Sequence, residues 1–296
     1  MKQVISIYLL LLWTCGAVLA QSPKLKVFVS ADMEGVAGVA TGVQTSPKDR
    51  EFGRFSRLMT LEVNAAIEGA YDAGATEVLV ADSHGDGQNI DVELLDKRAR
   101  LVRGMPRALG MMEGIDDTYD AVVFVGYHSG RGQANAILAH TNSGKIWEVK
   151  LNGSALPEAG FNAAMAGELG VPVVFISGDQ FICDEGRRLF GPIETAVVKQ
   201  ARGFFAGIMM HPEEAQKLIR AGVKRGVERR RELKPFKLAH PVRVEVTFKD
   251  ELWAEVASYL PGIDRPSGDV VSYTARDAIE AHKIYRAIST LDPVGR

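Results

Sequence analysis

The segment KVFVSADMEG, residues 26–35, decides the fold. Its first half is an almost unbroken apolar run, which is typical of a strand that a parallel sheet buries on both faces. Its second half carries two acidic side chains, Asp32 and Glu34, directly after that run. Three similar runs follow along the chain, at residues 77–81, 121–125 and 171–177. The sequence therefore predicts four buried strands, the first of which ends in a pair of carboxylates.

A helical pattern separates the first two runs. Apolar residues recur there at intervals of three and four, and Gly74 supplies a stop signal at the end. These apolar positions are Phe55, Met59, Val63, Ala66, Ile67 and Ala70. Strands that alternate with helices predict an α/β fold, here a three-layer α/β/α arrangement with a mixed, largely parallel sheet.

The pattern changes in the last quarter of the chain. Apolar and polar residues alternate over residues 242–248, which predicts a strand with one face on a core and one face in solvent. We expect this segment to be an added or an edge strand. A strand near residues 270–273 and a helix near residues 275–289 follow, so we expect an additional C-terminal strand and helix region.

The first twenty residues have the features of a signal peptide. Lys2 is followed by an apolar run from Val4 to Trp13 and by a cleavage point after Ala20. The run is shorter than the roughly 20 residues that a spanning helix requires. We therefore expect an exported protein, periplasmic or secreted, with no membrane contact after signal removal. Residues 21–296 are expected to form one domain, and we also consider a C-terminal subdomain from about residue 241.

The composition disfavours several classes of function. The 296-residue chain has a formal net charge of -2 and a pI near 6.3, so it lacks the basic surface that binding to nucleic acid requires. Of its two cysteines, only Cys183 lies beyond the predicted signal peptide. We therefore expect no disulfide within the exported chain.

Polar side chains follow each of the four buried runs. Asp32 and Glu34 follow the first run, His84 the second, His128 the third and Asp179 the fourth. Because ligands of open α/β sheets bind outside the carboxyl ends of the strands, we expect these side chains to gather at one edge of the sheet.

This set of side chains suits a metal ion. Asp32 and Glu34 are two residues apart, so an extended chain points them to the same side. Two neighbouring carboxylates repel each other unless a cation is present. His84 and His128 add imidazole nitrogens, and such a mixed set suits zinc better than magnesium or calcium. When one carboxylate bridges, such ligands can hold two ions about 3.5 to 4 Å apart, which activate water.

The same residues also have purely structural interpretations. An Asp after a strand is commonly a turn or helix-capping residue, which is the role we favour for Asp82 and Asp179. A lone His beside an apolar run is more often a packing residue than a ligand. Neither a G-x-S-x-G nor an H-E-x-x-H motif occurs, which disfavours a serine hydrolase and a helical single-zinc protease. A metal-dependent phosphoesterase and a non-catalytic exported peptide-binding protein remain the alternatives.

Five segments, in this order and spacing, closely resemble one family. They are SADMEGVAG from Ser30, EVLVADSHGDGQNI from Glu77, MMEGIDDTYDAVVFVGYHS from Met111, LAHTNS from Leu138 and PEAGFNAAMAGELGVPVVFISGD from Pro157. The family is the D-aminopeptidase family of zinc peptidases, peptidase family M55. The resemblance runs from about residue 26 to residue 179 and continues more weakly into the C-terminal strand and helix.

The resemblance implies a two-zinc site in each chain. Asp32 is expected to bridge the two ions, with Glu34 and His84 on one ion and His128 and Glu158 on the other. Glu158 rests on the resemblance alone, because its position in a loop or at a helix start favours a structural role.

The resemblance also implies a reaction and an assembly. It marks His140 as a catalytic residue, either a general acid/base or a stabiliser of the tetrahedral intermediate. The expected substrates are short peptides with a free N-terminus and D-alanine first. The expected assembly is a ring-shaped homo-oligomer with inward-facing active sites, a decamer-like arrangement.

Overall fold

The computed structural model describes residues 24–291. The predicted signal peptide at residues 1–20 lies outside this range and stays a prediction. Within the described range, every helix is too short or too polar to cross a membrane.

The described residues form eleven strands and six α-helices, with short 3-10 turns between some of them. The strands are β1 (Lys26–Ala31), β2 (Glu77–Asp82), β3 (Arg100–Val102), β4 (Ala121–Val125), β5 (Ile146–Leu151), β6 (Ser154–Ala155), β7 (Val173–Asp179), β8 (Glu194–Gly203), β9 (Ala206–Met209), β10 (Val242–Phe248) and β11 (Val270–Ala275). The helices are α1 (Phe52–Asp72), α2 (Glu158–Glu168), α3 (Gln180–Phe190), α4 (Pro212–Glu228), α5 (Glu251–Ala257) and α6 (Ala278–Thr290).

Seven strands form the main sheet in the order β3-β2-β1-β4-β7-β8-β9. Neighbouring strands are parallel except β8 and β9, which are antiparallel. The predicted α/β fold with a mixed, largely parallel sheet is confirmed. The order places β1 between β2 and β4, so the chain continues from β1 in opposite directions along the sheet. Such a switch point leaves a crevice at the carboxyl ends of the two central strands, here beside Asp32 and Gly126.

Helix α2 is buried along almost its whole length. Its residues from Glu158 to Gly167 are all buried, because the helix lies between two hydrophobic cores. Ala163 packs into the core of the main sheet, whereas Phe161 packs into the core of a second sheet. The N-terminus of α2 is thereby held rigidly near the crevice, which matters because Glu158 is its first residue.

The second sheet is antiparallel and has the order β11-β10-β5-β6. Side chains of β10 alternate between buried and more exposed positions, which confirms the predicted one-sided strand. Of the two alternatives, an added or an edge strand, the structure shows an added strand, because β10 lies between β11 and β5. The edge alternative is wrong because the partner β5 lies far upstream in the sequence, where local periodicity gives no information about pairing.

Candidate metal centre

The structure brings all five predicted ligands together at the carboxyl edge of the main sheet. Four of them are buried, with exposed fractions of 2% for Asp32, 6% for Glu34, 2% for His128 and 8% for Glu158. His84 is partly buried. Asp32 and Glu34 follow β1, the two histidines follow β2 and β4, and Glu158 begins α2.

Two glycines allow the loops after β1 and β4 to touch. The Asp32 N–H donates to the carbonyl of Val125 at 2.8 Å, and the Gly35 N–H donates to the carbonyl of Gly126 at 2.7 Å. A Cβ atom at Gly35 would lie 2.0 Å from the carbonyl oxygen of Tyr127. Only glycine therefore fits at this position, and the close contact sets Asp32 beside the β4 loop.

The two oxygens of Asp32 face two different groups of side chains. Oδ1 lies 3.4 Å from His84 Nδ1, and Oδ2 lies 3.4 Å from His128 Nε2. Glu34 Oε2 completes the first group at 2.9 Å from His84 Nδ1. Glu158 Oε1 completes the second group at 3.4 Å from His128 Nε2. The centre thus has two halves that share one carboxylate.

Backbone carbonyls orient the imidazole rings at the site. In each ring one nitrogen lies within hydrogen-bond distance of a backbone carbonyl oxygen, which can only accept. These pairs are His84 Nε2 with Thr45 at 2.9 Å, His128 Nδ1 with Ser129 at 2.9 Å and His140 Nδ1 with Leu138 at 2.8 Å. The other nitrogen of each neutral ring therefore carries a lone pair, and this lone pair faces carboxylates. This is the arrangement by which proteins fix the tautomer of metal-binding histidines.

Buried polar atoms without partners also fit a cation. Among the described residues, Asp32 Oδ2 and His128 Nε2 are buried and have no hydrogen-bond partner. Burial of a polar atom without a partner reduces the stability of the fold, unless an ion or a water molecule contacts that atom. Two groups of three residues each bring one ligand atom per residue to within 4.8 Å of one another. The first group is Asp32, Glu34 and His128, and the second is His128, His140 and Glu158.

Positive charge stabilises the centre. Burial and the nearby Glu34 carboxylate raise the pKa of Asp32 to about 7. Burial acts to lower the pKa of His128, but Glu158 and Asp32 outweigh it and raise this pKa to about 10. Asp32 and His128 therefore bind protons more tightly than they would in water, and divalent cations can supply the same positive charge. Nitrogen and carboxylate ligands in two such halves fit zinc.

His140 lies against the second half of the centre. Its ring stacks on His128 with centroids 4.1 Å apart and an interplanar angle of 8°. Its Nε2 lies 3.7 Å from Glu158 Oε1. Burial and the neighbouring His128 lower the pKa of His140, so the neutral ring is favoured and Nε2 is free to accept a proton. The geometry is compatible with the predicted acid/base role, and that role stays a prediction.

The other two strand-end acids have structural roles, as the sequence indicated. Asp179 caps α3, where its Oδ1 accepts from the N–H groups of Phe181 at 3.0 Å and Ile182 at 3.1 Å. Asp82 holds the following loop, where its Oδ2 accepts from the N–H groups of Asn89 at 2.6 Å and Ile90 at 2.8 Å.

Sequence reasoning missed a buried lysine that contacts the loop after β1. Lys199 on β8 is 2% exposed, and its ammonium donates to the backbone carbonyls of Glu34, Val36 (3.2 Å) and Val39 (2.7 Å). Burial lowers the pKa of Lys199 to about 8. The one signal in the sequence is that the charged Lys199 directly follows the apolar residues Ala196, Val197 and Val198 of β8.

A buried glutamate holds the same loop from the side of α1. Glu62 Oε1 accepts from the Ala37 N–H at 2.8 Å, and burial raises the pKa of Glu62 to about 7. Glu62 follows Met59 and precedes Val63 on the apolar face of the helix, where a carboxylate is unexpected. The loop that carries Asp32 and Glu34 is therefore held at its carbonyls by a lysine and at an N–H by a carboxylate.

A cavity of about 360 Å³ opens onto the centre. Five site residues line it, namely Asp32, Glu34, His84, His140 and Glu158. Further lining comes from the loop after β4 and from α6, including Asn142, Arg286 and Ser289. Its volume lies in the range of small-molecule sites.

Comparisons with known proteins relate the chain to one family. A family model described as D-aminopeptidase, peptidase family M55, matches residues 25–287. A D-aminopeptidase of Bacillus subtilis (strain 168) is 30% identical over 268 residues, which cover 90% of this chain and 97% of that protein. Among solved structures, the Zn-dependent D-aminopeptidase DppA from Bacillus subtilis, described as a self-compartmentalizing protease, superposes with a TM-score of 0.87 at 29% identity. That match covers 90% of this chain and 97% of the other.

Proposed function

The chain belongs to the D-aminopeptidase family, peptidase family M55, and we propose that it is a zinc-dependent aminopeptidase. Its proposed substrates are short peptides with an N-terminal D-amino acid, of the D-alanine type. The observation that carries the proposal is the Asp32 carboxylate, whose two oxygens face two separate groups of buried ligands. The description of the solved relative as Zn-dependent supports zinc as the metal.

We assign the ligands of two zinc ions from these contacts. Asp32 would contribute an oxygen to each ion, Glu34 and His84 would hold one ion, and His128 and Glu158 would hold the other. When bound, such ions polarise a peptide carbonyl and make water acidic enough to ionise near neutral pH.

The protein's own groups handle the protons. The Nδ1–H of His140 is held by the Leu138 carbonyl, so Nε2 is the atom that accepts a proton from the attacking water. The same nitrogen then returns the proton to the leaving amine. The Glu158 carboxylate, 3.7 Å from this Nε2, stabilises the imidazolium between these two steps. The Glu158 carboxylate is itself kept in place by the Asn142 N–H, which donates to Oε1 at 2.6 Å.

We further propose that the protein is exported and works as a homo-oligomer. Export rests on residues 1–20 alone. Self-assembly is supported by the description of the solved relative as self-compartmentalizing. It is also supported by an exposed apolar cluster around the β8–β9 turn, where Phe204, Phe205 and Ile208 are 48%, 59% and 58% exposed. Such clusters commonly mark contacts between proteins, and analytical ultracentrifugation of the mature chain tests this point.

One assay separates this function from its rivals. The zinc-loaded protein is incubated with D-Ala-D-Ala, L-Ala-L-Ala and p-nitrophenyl phosphate, with and without a chelator. We expect D-alanine release that the chelator stops and added zinc restores. Hydrolysis of the phosphate ester alone supports a phosphoesterase instead. Binding of D-Ala-D-Ala in calorimetry without any cleavage supports a peptide-binding protein.

A further inference from the structure

Arg286 on α6 has a position that the proposed chemistry does not use. It lines the cavity together with the acidic cluster. Among the described residues that line this cavity, it is the only lysine or arginine. Its Nη1 donates to Asn142 Oδ1 at 3.3 Å. Its Nε is buried and has no hydrogen-bond partner among the described residues.

The guanidinium also lacks a carboxylate partner within residues 24–291. Other arginines in this part of the chain, such as Arg220 and Arg225, pair with Asp or Glu within 4 Å, but Arg286 does not. The nearby Arg107 does not line the cavity, and its guanidinium already donates to the backbone carbonyls of Asp82 and Val102. Arg286 is therefore the cation that this cavity offers to an anion.

The contacts of Asn142 set an upper limit on the distance between the Glu158 carboxylate and the Arg286 guanidinium. The Asn142 N–H lies 2.6 Å from Glu158 Oε1, and its Oδ1 lies 3.3 Å from Arg286 Nη1. Four covalent bonds of about 1.5 Å each separate these two atoms of Asn142, so Arg286 lies within about 12 Å of the Glu158 carboxylate. An extended dipeptide spans about 7 Å and a tripeptide about 10 Å. A peptide that reaches from one charge to the other is therefore limited to about three residues.

We propose that Arg286 binds the C-terminal carboxylate of the substrate, so that the enzyme prefers di- and tripeptides with a free C-terminus. This inference rests on the proposed aminopeptidase function and specifies its substrate class. A short peptide is a zwitterion, with an amine at one end and a carboxylate at the other. The acidic cluster attracts the amine and repels a carboxylate, whereas the guanidinium attracts the carboxylate. The charges of the cavity therefore set both the orientation and the chemical class of the peptide.

The test compares D-Ala-D-Ala with its C-terminal amide, which keeps the scissile bond and removes the negative charge. Hydrogen bonds to a charged group contribute enough binding energy for about a ten- to hundredfold preference. We expect the native enzyme to show that preference for the free acid in kcat/KM. R286M is expected to lose it, mainly through a higher KM for the acid, while turnover of the amide stays nearly constant. R286K keeps the charge without the planar fork, so it is expected to retain part of the preference.

The control is K283M, because Lys283 is exposed on the same helix. It is expected to keep the native preference, and all variants are expected to keep the native zinc content. Equal kcat/KM for acid and amide in the native enzyme overturns the inference and leaves the aminopeptidase function intact. Retention of the full preference by both Arg286 variants also overturns it. If the native enzyme cleaves neither peptide, the aminopeptidase function itself fails and the carboxylate site fails with it.

Discussion

Lys199→Met tests whether the buried lysine holds the loop that carries Asp32 and Glu34. Methionine has a similar length but no charge and no donor. The substitution leaves the carbonyls of Glu34, Val36 and Val39 without the ammonium that now donates to them. Because Lys199 is 2% exposed, water does not readily replace the lost donor.

The expected loss of stability follows from these contacts. A buried carbonyl without a donor costs about 1–3 kcal/mol, but removal of a buried charge also removes its desolvation cost. Three carbonyls without a donor would cost about 3–9 kcal/mol together, and the recovered desolvation cost of the ammonium places the net loss at the lower end of that range, about 3–5 kcal/mol. For a domain of this size each kcal/mol shifts the melting temperature by about 2–4 °C, which gives a drop of roughly 10 °C.

The metal centre is expected to weaken as well. Lys199 contacts the backbone of the proposed ligand Glu34, and loss of groups that position ligands typically lowers metal affinity by about 10–100-fold. Differential scanning calorimetry gives the melting temperature, and competition with a zinc chelator gives the affinity. Lys217→Met is the control, because Lys217 is exposed on α4 and pairs only with a surface glutamate. A Lys199→Met protein with the native melting temperature and the native zinc affinity would refute the reasoning.

Three further predictions concern His140, His282 and Gly35. His140→Ala is expected to lose peptide hydrolysis but keep its zinc in elemental analysis, with exposed His211→Ala as the control; loss of the metal would make His140 a ligand instead. Burial and the nearby Arg286 lower the pKa of His282 to about 3, below its value of about 6.5 in an unfolded chain. The unfolded state therefore binds more protons between these values, and this residue lowers the free energy of unfolding by about 1.4 kcal/mol per pH unit as pH falls below 6.5. His282→Phe should flatten that pH dependence in urea titrations, and an unchanged slope speaks against it. Gly35→Ala forces a Cβ to within 2.0 Å of a backbone oxygen, so we expect insoluble or zinc-poor protein; native yield and zinc content would show that the loops can separate.

The α/β core was predictable because its signals are local. Buried parallel strands are continuous apolar runs, and the residues after them lie at one edge in any such sheet. This rule was sufficient to place Asp32, Glu34, His84 and His128 together. The assignment of Glu158 as a ligand required the family resemblance. Its position near the other ligands depends on how α2 packs between the two hydrophobic cores.

Features that depend on distant pairing could not be read from the sequence. The central place of β10 depends on β5, which no local pattern connects to it. Lys199 and Glu62 contact the loop after β1 only because β8 and α1 pack beside it. In the sequence, Arg286 is not distinguished from other charged residues near the end of an amphipathic helix. Its position at the cavity follows only from the packing of α6.

The zinc content of Asp32→Ala tests the central claim most directly. Within residues 24–291, Asp32 is the side chain whose two oxygens face the two halves of the centre, so its loss should empty both halves. We expect the native protein to bind two equivalents of zinc in elemental analysis after dialysis, and Asp32→Ala to bind almost none and release no D-alanine. Asp184→Ala, which changes an exposed aspartate, should match the native protein. Two equivalents of zinc in Asp32→Ala would contradict the bridging role and with it the proposed centre.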